Sequence, residues 1–264
     1  MKPDLTILIP CRNNRQYLEQ CIPEYLQHAA QVLVVDSYST DGSAKIAAQL
    51  GAEVVQRRYD TSARQKNWAL THVRTEWVFQ IDTDEEPEAG LFQEICAVVQ
   101  KHDEKTAAYR IPRKNHYQGA YFRYGGFYPD YQCRLFRRGA CRWLEREVHA
   151  HLHVRGATGT LRKHILHYGM PSLSKQLSNL DRYTRYECDE MLKANKTHGF
   201  ARLLFHPPLI FAYRYLWLRG FLDGWRGFVI AAYTAFYDFI AIVKNIERQH
   251  AQAVEQRSEG SCQD

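Results

Sequence analysis

The sequence predicts an α/β fold with a mostly parallel central sheet and amphipathic helices toward its C-terminal end. Short apolar runs alternate with helical segments over the first 90 residues, and this alternation is typical of βαβ units in a parallel sheet. Three of the runs lead into Pro10, Asp36 and Asp82. Because such sheets bind ligands beyond the carboxyl ends of their strands, we expect these residues to lie at one binding edge.

The order of the elements follows from hydrophobic periodicity and turn-forming residues. Buried strands are predicted over residues 5–10, 32–35, 53–55 and 77–81. Helices are predicted over residues 16–30, 43–50, 63–72 and 88–101. Another strand is predicted over residues 109–112, and the chain is then irregular to about residue 168, with many aromatic, Arg and His residues.

The last third of the chain has a different character. Residues 172–196 are a predicted polar helix, and residues 200–247 are aromatic, apolar and basic. The polar end of the chain has no periodicity, which is typical of disorder. We therefore predict a catalytic domain over residues 1–198, C-terminal helices over 199–250 and a disordered tail over 251–264.

The composition is that of a globular protein with a basic balance. Of the 264 residues, 45% are hydrophobic and 24% are charged, and the formal net charge of +6 favours an anionic partner such as a nucleotide or an acidic membrane surface. The seven cysteines form no CxxC pair, which favours reduced thiols in a cytoplasmic setting over disulfides or a zinc knuckle. The sequence has neither a signal-peptide pattern nor 18 uninterrupted apolar residues, so we expect no spanning helix.

The tripeptide Asp82-Thr83-Asp84 is the motif with the clearest chemistry. It follows an apolar strand and precedes Glu85 and Glu86. Carboxylates this close repel each other, and a divalent cation removes the repulsion because hard cations take oxygen ligands. The motif therefore favours Mg²⁺ or Mn²⁺ holding a diphosphate, with a solvated acidic turn as the alternative that so short a pattern leaves open.

Four motifs in order resemble one family. They are residues 6–13 (TILIPCRN), 34–43 (VVDSYSTDGS), 63–67 (ARQKN) and 82–85 (DTDE). With these motifs the chain resembles the family 2 glycosyltransferases, which have a GT-A fold. The later block, residues 125–136, is similar to the acceptor-side segment of the bacterial lipopolysaccharide-core glucosyltransferases. One departure is that Val148-His149 is followed by Ala150, where that branch often has Glu.

The resemblance implies a site for a nucleotide-sugar donor. It assigns six residues to the donor: Pro10, Arg12, Asp36, Arg64, Lys66 and Asp82. Asp36 is expected to accept a hydrogen bond from N3–H of uracil, with a local Asx turn as the alternative. Asp82 is expected near the ribose. For Arg64 and Lys66, contact with phosphate or base competes with a solvated helix face.

The resemblance also implies a metal site. Asp84 is the expected ligand of Mg²⁺ or Mn²⁺, and His167 is expected either as a further ligand or phosphate contact, or as a core histidine. The alternating His149, His151 and His153 would share one face of a strand, but we do not expect a zinc site there.

The acceptor side needs a base, because an inverting transfer removes the proton of the attacking hydroxyl on the face opposite the leaving group. Asp130 is the residue that matches the family position, with a turn Asp after Pro129 as the alternative and Glu145 and Glu147 as fallback bases. The resemblance places Tyr128, Arg134 and His149 at the acceptor site.

The C-terminal segment has an apolar stripe at helical spacing. Its members are Phe221, Leu222, Trp225, Phe228, Val229, Ala232, Phe236, Phe239, Ile240 and Val243. A basic helix with aromatic residues on its apolar side can lie in a membrane interface. Packing on the catalytic domain and an oligomer interface are the alternatives.

These expectations combine into a function. The resemblance implies an inverting, metal-dependent transfer of a hexose, glucose in the branch it resembles, from a UDP-sugar. The implied acceptor is a lipid-linked glycan, the inner core of lipopolysaccharide, at the cytoplasmic face of the bacterial inner membrane. The alternatives are another hexose or N-acetylhexosamine with a different envelope acceptor, and a non-catalytic GT-A binding module. We expect no nucleic-acid partner, because the aromatic residues follow helical spacing rather than alternating with basic clusters.

Overall fold

The computed structural model describes residues 2–101, 103, 105–144, 152–170, 172–194 and 199–260, with side chains described as far as residue 251. The chain forms two compact units. The first comprises Met1–Asn115 and Pro129–Gly169, and the second comprises His116–Tyr128 and Met170–Asp264. The central sheet belongs mainly to the first unit and the long helices belong to the second.

The strands of the first unit were only partly predicted. They are β1 (Leu5–Cys11), β2 (Gln31–Asp36), β3 (Glu53–Gln56), β4 (Trp77–Gln80), β5 (Glu85–Pro87), β6 (Thr106–Tyr117), which runs on into the second unit, β7 (Ala120–Tyr121, in the second unit), β8 (Asp130–Arg137), β9 (Cys141–Trp143), β10 (Leu152–Val154), β11 (Ala157–Thr160) and β12 (Ile165–His167). Strands β1 to β4 confirm the predicted positions to within one or two residues. The stretch expected to be irregular, up to about residue 168, contains β7 to β12.

The sheet runs in the order β3-β2-β1-β4-β8-β6-β12-β5. The four N-terminal strands are parallel to one another. Strand β8 is antiparallel to both β4 and β6, while β12 is parallel to β6 and antiparallel to β5. The predicted α/β architecture with a mostly parallel central sheet is therefore confirmed.

Helices cover both faces of the sheet. They are α1 (Arg15–His28), α2 (Ser43–Gln49), α3 (Ser62–Ala69) and α4 (Leu91–Gln100). Side chains alternate between the two faces of a strand, so Ile7 and Ile9 of β1 pack in one core cluster whereas Leu8 packs in the other. Both faces of β1, β2 and β4 are buried. This two-sided burial explains why these strands are continuous apolar runs in the sequence.

The described residues of the second unit include the helices α5 (Leu173–Lys193), α6 (Phe200–Ala212) and α7 (Gly224–Gly260). A π-helical turn (Tyr213–Trp217) and a 3₁₀ turn (Gly220–Asp223) join α6 to α7. Helix α7 is tied to α5 by the ion pair of Lys244 with Asp181, at 2.8 Å. The second unit has a small apolar core cluster of Tyr117, Phe122 and Ile230.

Three features of this unit bear on the sequence expectations, and the predicted domain bounds stay predictions. The compact units group residues 170–198 with the C-terminal helices rather than with the sheet. Helix α7 continues to Gly260, past the expected start of a disordered tail, because residues 251–257 are good helix formers or neutral. By length and composition, the helix over Gly220–Ala251 is sufficient to cross a membrane, although no spanning helix was expected.

Candidate active site

Strand pairing places the chemistry-bearing residues of the first unit in a row. Strands β8, β6, β12 and β5 are neighbours. Across them, Arg113 lies opposite Asp130, His167 lies opposite Asn115, and Glu85 lies opposite His167. Because side chains of a strand alternate, Arg113 and Asn115 point to the same face. Residues distant in sequence therefore meet at one side of the sheet, next to the Asp82-Thr83-Asp84 turn.

Asp82 is held by cations. Its Oδ2 lies 2.7 Å from Nη2 of Arg134, its Oδ1 lies 3.5 Å from Nζ of Lys66, and Gln80 donates to Oδ1 at 2.9 Å. Burial opposes the ionisation of Asp82, but the charges of Arg134 and Lys66 outweigh it and lower its pKa. Asp82 is therefore an anion whose oxygens already have partners within the protein.

Arg134 and Glu85 extend this network inward. Glu85 is fully buried, and its Oε1 lies 2.5 Å from Nη2 of Arg134 and 3.1 Å from Nη1 of Arg113. Burial opposes the charge of Arg134, but Asp82 and Glu85 more than offset it and raise its pKa. Through these contacts Arg134 positions Asp82. The expected contact of Arg134 with the acceptor stays a prediction.

Lys66 does not lie on a solvated helix face. Its side chain is 11% exposed, and its Nζ lies 5.8 Å from the centre of the Trp143 ring. The helix that carries it is fixed by Asn67, which exchanges two hydrogen bonds with the backbone of Trp143, at 2.8 and 2.9 Å. Burial lowers the pKa of Lys66, with Asp82 acting in the opposite direction. Lys66 is thus a positioned cation beside Asp82.

Asp130 begins β8 and is surrounded by donors. Nε and Nη2 of Arg113 lie 2.9 and 2.7 Å from its Oδ2, Asn115 donates to Oδ2 at 3.1 Å, and Gln132 donates to Oδ1 at 2.6 Å. Burial raises the pKa of Asp130, but Arg113 and the hydrogen bonds outweigh this and lower it. The carboxylate is ionised and well oriented, and its lowered basicity weakens it as a proton acceptor.

Asp84 and His167 meet beside this network. Nε2 of His167 lies 3.5 Å from Oδ2 of Asp84, and Nδ1 of His167 lies 2.7 Å from Oδ1 of Asn115. A side chain at Gly169 would intrude, because an ideal Cβ there lies 2.9 Å from Oδ2 of Asp84 and closer still to His167. The chain thus keeps open space where these two side chains face each other.

The Asp84–His167 pair has the donor types of a Mn²⁺ or Mg²⁺ site, an exposed carboxylate and an imidazole nitrogen. Among the residues that the structure describes, no three His, Cys, Asp or Glu side chains gather at one metal-sized position. The pair therefore fits a cation whose remaining ligands come from a bound diphosphate or water.

Asp36 is the last residue of β2, and a cleft lies beyond the ends of β1 to β3. Asp36 is fully buried, and both of its oxygens accept from the backbone N–H of Ser39, at 3.1 and 3.2 Å. The local turn that the sequence left open is therefore present. Gln56 also donates to Oδ2, at 2.9 Å. A hydrogen bond from Asp36 to a nucleobase stays a prediction, in competition with these partners.

The adjacent cleft has a volume of about 480 Å³ and is lined by Arg12, Ser37, Tyr38, Arg58 and Tyr59. Arg12 is exposed, directly after β1, and Pro10 is half-buried within it. Arg64 is exposed on α3. The two arginines and two exposed tyrosines of the cleft offer positive charge and aromatic faces, which suit a nucleotide.

Residues 125–128, the start of the expected acceptor-side segment, belong to the second unit. Tyr128 packs edge-on against Tyr121, with ring centres 5.9 Å apart. Asp223 accepts from the backbone N–H groups of Arg123 and Tyr124, at 3.2 and 2.9 Å. Gly125 donates to the carbonyl of Leu218 at 2.9 Å. The loop is thus fastened to the turns between α6 and α7.

Some expected site residues lie outside the described part of the chain. They are His149, His151, Glu145 and Glu147. His153 is described and is exposed on β10.

Sequence reasoning missed Arg113, Asn115 and the buried role of Glu85. The sequence did carry a signal for the strand that pairs with them. Asp130, Gln132 and Arg134 are polar at alternate positions, and this alternation predicts a strand with one polar face. The pairing of that strand with β6, which brings Arg113 and Asn115 to it, left no local signal.

The fold and the Asp82-Thr83-Asp84 turn after β4 define a GT-A-type glycosyltransferase. The sequence profile named Glycosyl transferase family 2 matches residues 6–165. This match covers more than half of the chain, and the protein belongs to that family.

Relatives span nearly the whole chain. The chain is 28% identical over 259 residues to the lipopolysaccharide core biosynthesis glycosyltransferase LpsC of Rhizobium meliloti (strain 1021), covering 96% of this chain and 95% of the relative. It is 25% identical over 252 residues to an uncharacterized glycosyltransferase of Rickettsia bellii (strain RML369-C), covering 91% and 85%. The resemblance to family 2 and to its lipopolysaccharide-core branch is confirmed.

Solved structures share the fold. Mannosyl-3-phosphoglycerate synthase from Rubrobacter xylanophilus has a TM-score of 0.51 at 16% identity, covering 75% of this chain and 77% of that one. S. aureus TarS, solved in complex with UDP-GlcNAc, has a TM-score of 0.50 at 14% identity, covering 96% and 92%. At such identities the likeness concerns the fold alone, and the GT-A prediction is confirmed.

Proposed function

We propose that the protein transfers a hexose from a UDP-sugar to a lipid-linked glycan with inversion at the anomeric carbon, and that glucose and the inner core of lipopolysaccharide are the donor sugar and acceptor. The observation that carries the proposal is the continuous polar network from Lys66 through Asp82, Arg134, Glu85, Arg113 and Asp130, beside the Asp84–His167 pair. The relationship to LpsC, named for lipopolysaccharide core biosynthesis, supports the acceptor class.

The donor is assigned to the edge formed by β1 to β4. The cleft at Arg12 and Tyr38 takes the nucleoside, and Asp36 and Arg64 are assigned to the same donor. Asp82, fixed by Arg134 and Lys66, lies at the ribose. Lys66 keeps a positive charge close to the diphosphate, whose negative charge grows as it leaves.

Asp84 and His167 are the proposed ligands of Mg²⁺ or Mn²⁺. A cation bound there supplies Lewis-acid stabilisation of the leaving diphosphate. The chain's own contribution is to hold a carboxylate oxygen and an imidazole nitrogen 3.5 Å apart, with Gly169 leaving the approach open.

Asp130 is the proposed base, and Arg113, Asn115 and Gln132 hold it in place. Its lowered pKa makes it a weak acceptor of the hydroxyl proton, so we assign it the role on position rather than on basicity. Glu145 and Glu147 remain the fallback candidates. Tyr128, Arg134 and His149 are proposed to contact the acceptor.

We further propose that the second unit contacts the cytoplasmic face of the inner membrane. Trp217 is 78% exposed, Leu209 64% and Trp225 55%, and exposed aromatic and apolar side chains on helices suit a membrane interface. Two polar side chains of α7 pair with other helices: Asp238 with His206 at 2.7 Å and Lys244 with Asp181 at 2.8 Å. This pattern supports helices lying in the interface over a helix that spans it.

Hydrolysis of the donor tests the proposal directly. The full-length protein is incubated with Mn²⁺ and a panel of UDP- and GDP-sugars, and release of the nucleotide is measured without acceptor. Preferential hydrolysis of UDP-glucose supports the donor assignment. Preference for UDP-N-acetylhexosamine supports the rival transferase, and failure to bind or hydrolyse any nucleotide sugar supports a non-catalytic binding module.

A further inference from the structure

The imidazole of His167 is oriented by one buried amide. Nδ1 of His167 lies 2.7 Å from Oδ1 of Asn115, and Asn115 is 5% exposed. An amide oxygen has no proton to donate. In this hydrogen bond the imidazole is therefore the donor, and its proton is on Nδ1.

The orientation of the amide is fixed from its other end. Nδ2 of Asn115 lies 3.1 Å from Oδ2 of Asp130, and an ionised carboxylate only accepts hydrogen bonds. Arg113 keeps that carboxylate ionised through contacts of 2.7 and 2.9 Å. A reversed amide would set its oxygen against the carboxylate. The amide nitrogen therefore faces Asp130 and its oxygen faces His167.

We propose that Asn115 is a positioning residue that fixes the tautomer of His167, with the proton on Nδ1 and the lone pair of Nε2 directed toward Asp84. Nε2 of His167 lies 3.5 Å from Oδ2 of Asp84, and two electron-rich atoms at this distance favour a cation between them. Histidines that bind metals commonly donate their other ring N–H to a fixed acceptor. The inference rests on the proposed function, since it names the residue that prepares one ligand of the proposed cation.

The tautomer can be measured in the metal-free, full-length protein. Two-bond ¹H–¹⁵N spectra of ¹⁵N-histidine-labelled protein, recorded where the imidazoles are neutral, distinguish protonated from unprotonated ring nitrogens. The chain has 12 histidines, and the His167→Gln variant identifies the resonances of His167. We expect a protonated Nδ1 and an unprotonated Nε2. A proton on Nε2 in the wild-type protein would overturn the inference without any further variant.

The matched variants are Asn115→Leu and Gln132→Leu. Gln132 also donates to Asp130, at 2.6 Å, but lies on β8, which β6 separates from His167. We expect Asn115→Leu to shift His167 toward the other tautomer and Gln132→Leu to leave it unchanged. The same tautomer in Asn115→Leu and in the wild type contradicts the proposal.

A binding measurement separates the inference from the proposed function. Calorimetric titration with UDP and Mn²⁺ is expected to show a loss of Mn²⁺ affinity of about 10- to 100-fold in Asn115→Leu, with metal-free UDP binding unchanged. A wild-type protein whose UDP affinity ignores Mn²⁺ refutes the metal in the proposed function, whereas the tautomer spectra alone decide the role of Asn115.

Discussion

Oδ2 of Asp84 and Nε2 of His167 lie 3.5 Å apart because of strand pairing. Strand β12 pairs antiparallel with β5, with His167 opposite Glu85, and the N–H of Tyr168 donates to the carbonyl of Asp84 at 2.8 Å. The backbone of both segments is therefore joined where their side chains meet. Because the backbone fixes this pair, a single substitution at it or beside it has a defined expected effect.

Asp84→Asn is expected to abolish activity and to weaken UDP binding only when metal is present. The amide keeps the shape of the side chain but loses the charge that a divalent cation requires. Calorimetry with UDP, with and without Mn²⁺, measures the effect. Glu86→Gln, in the same acidic segment but exposed, is the control. Normal turnover of Asp84→Asn with Mg²⁺ or Mn²⁺ contradicts the metal assignment.

Gly169→Ala tests the open space beside this pair. The added methyl group would lie 2.9 Å from Oδ2 of Asp84, so one of the two side chains must move. We expect a loss of Mn²⁺-supported UDP affinity of about tenfold or more, the scale on which disturbed metal surroundings act. The control is Gly139→Ala, where an added Cβ meets no atom within 4 Å. Equal affinities in the two variants would remove the argument for Gly169.

Asp130→Asn is expected to reduce turnover by roughly two or more orders of magnitude, the usual effect of losing a general base. Affinity for the UDP-sugar should stay near that of the wild type, because Asp82, Lys66 and Asp36 are untouched. Steady-state kinetics and donor binding are measured together, with the exposed Asp103→Asn as control. A parallel loss of donor binding would make Asp130 structural, and unchanged turnover would move the base to Glu145 or Glu147.

Glu88 gives a pH-dependent contribution to stability. It contacts His164 and Lys114 at 2.8 and 2.6 Å, which anchors the segment before β12. Burial raises the pKa of Glu88, but these hydrogen bonds outweigh it and lower the pKa from 4.5 to about 2. The unfolded chain therefore binds the proton first, so the stabilisation is complete above pH 4.5 and is lost as the pH falls toward 2.

The prediction concerns the difference between wild type and Glu88→Gln. Urea unfolding should show the variant to be less stable at pH 7, and the difference in unfolding free energy should shrink as the pH falls from 5 toward 2. Glu19→Gln, whose partner Arg15 is exposed on α1, is the surface control. A difference independent of pH would show that Glu88 acts through packing.

Membrane binding should resist salt more than the basic sequence suggests. Arg214 donates to the carbonyl of Gly125 at 2.9 Å, Arg226 to that of Gln118 at 2.7 Å, and Lys244 pairs with Asp181. Arg219, between α6 and α7, is exposed, and each cation near an anionic surface contributes on the order of 1 kcal/mol. The apolar surface is therefore expected to dominate.

Co-sedimentation with anionic vesicles measures this. The full-length protein should pellet at low salt and largely at high salt, where charges beyond about 10 Å are screened, and Trp217→Ser with Trp225→Ser should release it. Tyr59→Ser, an exposed aromatic residue of the first unit, is the control. No pelleting at low salt leaves packing or oligomerisation as the role of these helices.

The sequence by itself determined the parallel half of the fold. Strands β1, β2 and β4 are buried on both faces, so their apolar runs are visible without tertiary information. Asp36 ends β2 and Asp82 lies two residues after β4, and the resemblance to family 2 rests on the same local motifs. The strands after residue 112 were not predicted, because short strands with one polar face give a weak periodic signal.

Only the tertiary structure decided which residues meet. Asp130, Asn115 and His167 are brought together by the pairing of β8, β6 and β12, and the register of that pairing depends on contacts between distant segments. The same pairing turned Arg134 inward to Asp82 and Glu85. It also supplied Arg113 and Asn115, which no local pattern marks, because a residue's hydrogen-bond partner across a sheet is set by its neighbour strand rather than by its own sequence.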